Sequence, residues 1–197
     1  MDIVLASGSP RRRELLTQMG LDYRVVVSDA DETVDPSLSP AEQVREISQR
    51  KARAVADRVG DDALIIAADT VVALDGSVMG KPHSQAEAVD MLTRLSGNTH
   101  TVYTGFTVCQ GSRHFTASEA TDVTFRELAP EEIAAYVATG EPMDKAGAYG
   151  IQGKGSLLVR AIHGDYFNVM GLPVCALGQA LADFGLALPT LLQGGLA

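Results

Sequence analysis

The sequence predicts an α/β protein in which a mixed central β-sheet is flanked by helices. In the first half of the chain, short apolar runs typical of buried strands alternate with helical segments. In the second half, apolar runs follow one another across glycine-containing turns, which indicates antiparallel hairpins. The chain has 197 residues, 46% of them hydrophobic, which is enough for a substantial core. We expect residues 1–188 to form one domain and residues 189–197 to form a frayed C-terminal tail.

The first half is expected to alternate between strands and helices. A capping box, Ser39-Pro40-Ala41-Glu42, predicts the start of the longest helix, and Gly60 is expected to end it. A second capping box begins at Ser84. Strands are expected at residues 3–6, 23–27 and 64–68, and helices at residues 10–19, 40–59 and 85–96.

The second half is expected to contain mostly hairpins. A glycine-rich stretch, residues 144–153, is too irregular for a helix or a strand. A short helix is expected at residues 130–139, and the last helix begins at Pro173. The expected hairpins pair residues 70–74 with 77–79, residues 99–109 with 114–125, and residues 157–162 with 166–170.

A basic turn follows the first strand. Residues 7–9 form a Ser-Gly-Ser turn, Pro10 occupies the first helical position, and arginines occupy positions 11–13. A helix N-terminus already carries a partial positive charge, so three arginines there are unfavourable unless an anion is bound. A solvated basic turn is the alternative. The strand, glycine turn and helix in succession favour a phosphate-binding site.

Carboxylates are the best candidates for chemistry. Asp69 ends an apolar run of central-strand type, and ligands of α/β sheets bind where such strands end. Glu32 lies in an acidic loop, residues 28–35, and could add a hard oxygen ligand for Mg²⁺ or Mn²⁺. Lys51 interrupts the apolar stripe of the longest helix, so it either extends to the surface or points into a site. The competing interpretations are a turn-forming aspartate and a solvated loop glutamate.

Composition excludes several classes of protein. The net charge of -9 argues against binding to a nucleic acid polymer. No segment approaches the length of a membrane span, and Met1-Asp2 opens no signal peptide. Cys109 and Cys175 are isolated, which favours a reduced, cytoplasmic location. The four histidines lack metal-ligand spacing, and P-loop, GxGxxG, GxSxG and HExxH motifs are absent.

Six short motifs, taken together and in order, resemble the Maf (septum formation inhibitor) family. They are Ser7-Gly8-Ser9-Pro10-Arg11-Arg12, Ala68-Asp69-Thr70-Val71, Gly80-Lys81-Pro82, Tyr103-Thr104-Gly105, Asp144-Lys145-Ala146-Gly147-Ala148-Tyr149-Gly150-Ile151-Gln152-Gly153 and Val169-Met170-Gly171-Leu172-Pro173. Members of this family are nucleoside triphosphate pyrophosphatases with an inosine-triphosphatase-like (Maf/Ham1-type) fold. The resemblance implies a mixed sheet between helices, a cleft between two lobes and often a homodimer.

The resemblance also implies roles for individual residues. Asp69 is the implied catalytic carboxylate, and Asp69 and Glu32 are the implied ligands of the divalent metal, Mg²⁺ or Mn²⁺. The residues implied around the triphosphate are Ser7, Arg12, Lys51 and Lys81.

Three further positions resemble one branch of the family. Arg11, Thr70 and Gln152 are similar to the dTTP/UTP pyrophosphatase subfamily, whose sibling cleaves 7-methyl-GTP. The implied reaction is hydrolysis of dTTP and UTP, or of modified pyrimidine nucleotides, to monophosphate and pyrophosphate, with a link to septum formation. The alternatives are a pyrophosphatase for 7-methyl-GTP or other purine triphosphates, and a non-catalytic nucleotide-binding regulator of cell division.

Overall fold

The structure, a computed structural model, describes residues 1–193 and confirms the mixed α/β architecture. The strands of this part of the chain are β1 (Ile3–Leu5), β2 (Arg24–Val25), β3 (Leu64–Leu74), β4 (Ser77–Met79), β5 (Thr99–Gln110), β6 (Arg113–Phe125) and β7 (Val159–His163). Its α-helices are α1 (Pro10–Gln18), α2 (Pro40–Val59), α3 (Gln85–Leu95), α4 (Pro130–Ala138), α5 (Tyr166–Met170), α6 (Val174–Ala182) and α7 (Leu188–Leu192). None of the helices in residues 1–193 has the length and apolar character needed to cross a membrane.

The sheet is mixed, as predicted. Its strand order is β2-β1-β3-β5-β6-β7, and β4 pairs with β3 outside this order. β1 is parallel to both of its neighbours, with Val4 opposite Arg24 on one side and Ile65 on the other. β3 and β4 are antiparallel, as are β6 and β7. Parallel strands joined by helices at the start and antiparallel strands later produce the mixture.

The chain divides into two compact units. The first unit contains Met1–Asp69, Thr104–Glu119 and the described residues from Gly171 onward. The second unit contains Thr70–Tyr103 and Ala120–Met170. The division falls within β3, β5 and β6, so these three strands contribute residues to both units.

The first unit is built on the contact between α2 and the sheet. Val4 and Ile65 of the sheet pack with Ala52 and Val55 of α2 in one buried cluster. On β5, Gly105 lets α2 approach closely, since a Cβ at this position would overlap the backbone of Val44. The predicted capping box is present, so α2 begins at Pro40 as expected.

The second unit has its own buried cluster, formed by α3, α4 and the parts of β3, β5 and β6 that belong to this unit. Leu92 of α3, Phe125 of β6 and Val137 of α4 are members. His100 is also buried, and its Nε2 lies 2.8 Å from the hydroxyl of Tyr149. This contact joins β5 to the glycine-rich stretch that follows α4.

The structure corrects the sequence prediction at Asp69. The expected strand end and the expected hairpin strand that follows are one continuous strand, β3, and Asp69 lies in its middle. Val71, Val72 and Leu74 are buried like the residues before Asp69, and no glycine or proline interrupts the run. The apolar run therefore continues through the aspartate rather than turning there.

One other expectation is wrong. Residues 166–170 form helix α5 instead of a hairpin strand, because Asp165 Oδ1 accepts a hydrogen bond from the Phe167 N–H (2.7 Å) and starts a helical turn. The predicted C-terminal tail, residues 189–197, begins within α7, in which Leu191 is buried. Residues 194–197 of that predicted tail lie outside the described residues.

Candidate active site

Lys51 lies between two carboxylates of the first unit. Its Nζ is 2.7 Å from Asp69 Oδ1 and 2.8 Å from Glu32 Oε1. The Lys51 side chain is only 11% exposed, whereas that of Glu32 is 60% exposed. Of the two expectations for a lysine in an apolar stripe, the structure therefore supports the one in which it points toward Asp69 and Glu32.

Asp69 lies just beyond the point where β3 loses its neighbour β1. The last hydrogen bond toward β1 runs from the Ala6 N–H to the Ile66 carbonyl (2.8 Å). Backbone groups of alternate strand residues point to the same side, so the Ala68 carbonyl also faces the β1 side. That carbonyl accepts a hydrogen bond from Arg12 Nη1 at 2.8 Å. The arginine thus takes the place of the missing strand next to Asp69.

Arg12 is a buried brace between three parts of the first unit. Besides Ala68, it donates to the Gly171 carbonyl through Nε (2.8 Å) and to Ser7 Oγ through Nη1 (3.1 Å). Burial lowers the pKa of the Arg12 guanidinium, while the charge of Asp69 acts in the opposite direction. The structure therefore assigns part of this side chain to backbone carbonyls, and its predicted contact with phosphate stays a prediction.

The N-terminus of α1 has features of an anion site. Ser9 makes no side-chain cap hydrogen bond, and the first turn of α1 contains no acidic residue. The hydroxyl of Ser7 accepts a hydrogen bond from the Ser9 N–H (3.2 Å) and holds the preceding turn in shape. A phosphate at this position would meet the positive end of the helix dipole together with Arg11 and Arg12.

The acidic loop that carries Glu32 is fixed to α2. Two consecutive residues of α2 hold the loop. Arg50 donates to the backbone carbonyl of Thr33, and Lys51 contacts the carboxylate of Glu32. Within the loop, the Thr33 N–H donates to Asp31 Oδ1 (2.9 Å), and this hydrogen bond lowers the pKa of Asp31. Arg50 was not among the predicted site residues. Its position beside Lys51, on a helix that follows the acidic loop, was the available signal.

The remaining predicted residues lie elsewhere on the chain. Arg11 is partly exposed on α1, and Thr70 follows Asp69 as the first residue of the second unit. Lys81 is exposed in the loop after β4, and Gln152 is half-buried in the glycine-rich stretch. Within the second unit these two segments meet, since the Gly147 N–H donates to the Gly80 carbonyl at 3.0 Å.

The donors around Lys51 are suited to a hard divalent cation. Carboxylate oxygens such as those of Asp69 and Glu32 are preferred by Mg²⁺ and Mn²⁺. In residues 1–193, no group of three His, Cys, Asp or Glu side chains forms a ready metal site. Two carboxylates fit a cation that completes its coordination with water and substrate phosphate oxygens, as Mg²⁺ usually does.

Comparison with known proteins places these features in a family. A family model described as Maf-like protein matches residues 2–184. The chain belongs to the Maf family. The match includes Ser7, Lys51, Asp69 and the glycine-rich stretch with Gln152.

Two bacterial relatives of this Maf protein are similar over nearly their whole length. One, named dTTP/UTP pyrophosphatase, from Moorella thermoacetica, is 55% identical over 185 residues, which cover 93% of this chain and 95% of the relative. Another of the same name, from Bacillus cereus strain AH820, is 48% identical over 184 residues, covering 93% and 96%. Among solved structures, the Staphylococcus aureus Ham1 protein aligns at 18% identity with a TM-score of 0.48, covering 79% of this chain and 78% of that one. A structural similarity this low supports no further argument.

Proposed function

We propose that this Maf protein is a nucleoside triphosphate pyrophosphatase that hydrolyses dTTP and UTP to the monophosphate and pyrophosphate. The observation that carries the proposal is the 55% identity, over 93% of the chain, to a relative with that name. The arrangement around Lys51 supports it, because a buried carboxylate beside a lysine is suited to directing water at a phosphate. Modified pyrimidine triphosphates fall within the same proposal.

In the proposed reaction, a water oxygen attacks the α-phosphorus and the bond from that phosphorus to the bridging oxygen breaks. Pyrophosphate leaves with the electron pair of this bond, and the water proton passes to a base and then to solvent. Asp69 is the proposed carboxylate that orients the water, either by accepting its proton or by holding the cation that polarises it. Lys51 keeps this carboxylate in place, as its 2.7 Å contact supports.

Four residues are proposed to bind the phosphates. Ser7 and the N-terminus of α1 offer donors to phosphate oxygens, and Arg12 supplies positive charge beneath the turn. Lys51 and Lys81 are proposed to stabilise the charge that develops on the leaving pyrophosphate. Arg12 and Lys81 differ in this respect, because the buried arginine keeps its charge whereas the exposed lysine can move to follow the product.

Base choice is proposed to depend on Arg11, Thr70 and Gln152. Uracil and thymine present the N3–H donor beside the O4 acceptor, and one glutamine amide meets both with its carbonyl and its NH₂. Cytosine has the opposite pattern at these atoms, so the orientation of the amide decides whether it is rejected. Gln152 is half-buried, which supports a role in recognising the base over that of a solvated surface side chain.

Asp69 and Glu32 are the residues proposed to hold Mg²⁺ or Mn²⁺. The cation would neutralise charge on the triphosphate and polarise the attacking water. Lys51 holds both carboxylates close to one another, which prepares the pair for a shared cation. A homodimer and a cytoplasmic location are also proposed, in line with the family resemblance.

The test is hydrolysis of dTTP or UTP in ¹⁸O-labelled water with Mg²⁺ or Mn²⁺, under multiple-turnover conditions. Attack at the α-phosphorus places the label in the monophosphate and none in the pyrophosphate, and many equivalents of pyrophosphate are released per enzyme. Label in the pyrophosphate would contradict the site of attack. Stoichiometric nucleotide binding without release would instead favour a regulator of cell division.

A further inference from the structure

The stretch that carries Gln152 is held by a carboxylate and a hydroxyl that no proposed catalytic role uses. Glu141 follows α4, and its Oε1 accepts hydrogen bonds from the Gly155 N–H (2.9 Å) and from the Tyr136 hydroxyl (3.0 Å). Its Oε2 accepts from the Lys154 N–H at 3.1 Å. One side chain therefore binds two consecutive backbone amides just after Gln152.

The Tyr136 hydroxyl extends this network to the other side of Gln152. While it donates to Glu141, the same oxygen accepts a hydrogen bond from the Gly150 N–H at 3.2 Å. Tyr136 itself is buried, so this hydroxyl cannot exchange its partners for bulk water. The backbone is thus fixed two residues before Gln152 and two and three residues after it.

The glycines of this stretch let the backbone come close to the two side chains. A Cβ on Gly155 would collide with the Gly150 carbonyl and would lie 2.6 Å from the Tyr136 hydroxyl. Gly153 has φ +63°, and a Cβ there would lie 3.0 Å from Glu141 Oε2. The presence of glycine at these positions therefore has a structural explanation that is independent of any contact with substrate.

The Glu141 carboxylate is held in its ionised form. Burial raises its pKa, but the N–H groups of Gly155 and Lys154 and the Tyr136 hydroxyl outweigh burial, so the pKa of Glu141 lies below its ordinary value. An ionised carboxylate has acceptor capacity for all three donors, whereas a neutral amide would turn its NH₂ toward at least one of them. The charge on Glu141 is therefore part of the arrangement.

We propose that Glu141 and Tyr136 are positioning residues that fix Gln152 in the orientation that selects uracil and thymine over cytosine. This inference rests on the proposed function. A side-chain amide distinguishes uracil from cytosine only if its carbonyl and its NH₂ face fixed atoms of the base. Holding the backbone on both sides of Gln152 fixes the position and direction from which its side chain extends, and so limits which atoms of the base its amide can meet.

The test compares Glu141→Gln with wild type by the ratio of kcat/KM for UTP to kcat/KM for CTP. We expect this ratio to fall about fivefold or more, and the amides of Gly150, Lys154 and Gly155 to exchange hydrogen faster in the nucleotide-free protein. The matched control is Glu132→Gln, which removes a carboxylate that accepts the Ala129 N–H (2.9 Å) at the other end of α4. The control should leave the UTP to CTP ratio unchanged.

A second comparison, made in the Gln152→Ala variant, separates a positioning role of Glu141 from an effect on general stability. In Gln152→Ala, adding Glu141→Gln should cause no further change in the UTP to CTP ratio, because the residue it positions is gone. If Glu141→Gln does not fold, Tyr136→Phe provides the same test by removing one hydroxyl. An unchanged ratio in the folded single variant overturns this inference alone. A wild-type protein that releases no pyrophosphate from dTTP or UTP overturns the proposed function, while amide exchange still tests the network.

Discussion

At the scale of single residues, the account depends on Asp69 and the lysine that holds it. The Asp69 side chain is 13% exposed, and its Oδ1 lies 2.7 Å from Lys51 Nζ. We expect Asp69→Asn to lower kcat for UTP by about 10² or more, because the amide keeps the size of the side chain but loses the charge. Circular dichroism should show a folded protein. Activity within about tenfold of wild type would contradict the assignment.

Lys51→Met tests how activity and stability separate at this site. Methionine fits an apolar stripe, but its introduction removes the ammonium that contacts both the buried Asp69 and Glu32. We expect lower kcat/KM and a loss of about 1–3 kcal/mol in the free energy of unfolding. Adding Asp69→Asn to this variant should restore stability but not activity, as measured by urea denaturation and pyrophosphate release. If Lys51→Met keeps full activity, Lys51 has a structural role only.

At the scale of elements, the approach of α2 to β5 positions Lys51. Gly105→Ala would place a Cβ 2.7 Å from the Arg45 backbone nitrogen and closer still to Val44. We expect it to cost about 3 kcal/mol in the free energy of unfolding and to lower activity, since α2 must move with Lys51. Gly178→Ala on α6 is the matched control, because nothing lies within 4 Å of its added Cβ. Equal stability of the two variants would show that this contact does not limit the packing of α2.

The link from β5 to the glycine-rich stretch predicts a dependence of stability on pH. Burial lowers the pKa of His100 to about 4, against the opposing charge of Asp122. In the unfolded chain its pKa is about 6.5, so between these values only the unfolded state binds the proton. Stability from this group is complete above pH 6.5 and is lost as the pH falls toward 4.

The variant His100→Gln isolates this contribution. Between pH 8 and pH 5, wild type should lose about 2 kcal/mol more in the free energy of unfolding than His100→Gln does. Urea denaturation of both proteins at the two pH values measures the difference. The same pH dependence in both would mean that His100 titrates alike in the folded and unfolded states.

Local patterns explain why most elements could be predicted. The capping box at Ser39, the apolar stripe of α2 and the glycine after it gave the bounds of α2 and the unusual place of Lys51. Asp69 misled the strand prediction, because the continuation of β3 depends on neighbours that are distant in sequence. For α5 a local signal was available in Asp165, whose Oδ1 accepts the Phe167 N–H (2.7 Å), but the apolar run hid it.

The site was predictable only in part for similar reasons. Three signals indicated Asp69, Lys51 and Glu32, which the structure brings together: the end of an apolar run, an interrupted apolar stripe and an acidic loop. The brace from Arg12 to Gly171 joins residues 159 positions apart, so no local pattern could indicate it. The roles of Lys81 and Gln152 still rest on resemblance.

At the scale of the whole molecule, charge and fold agree with a small polyanionic substrate. The chain has a net charge of -9, yet Arg11, Arg12 and Lys51 all belong to the first unit, with the two arginines in the first turn of α1. A local basic region on an acidic protein favours a small phosphate ligand over a long nucleic acid. Family membership and the relatives named dTTP/UTP pyrophosphatase agree with this interpretation.

The most direct test is the kcat/KM for pyrophosphate release from dTTP, UTP, CTP, GTP and 7-methyl-GTP, each with Mg²⁺ and with Mn²⁺. Asp69→Asn, purified in the same way, controls for contaminating phosphatases. The account predicts repeated turnover of dTTP and UTP, with kcat/KM about tenfold or more above the other three, and only background release by the variant. A preference for GTP or 7-methyl-GTP, or nucleotide binding without pyrophosphate release, would contradict it.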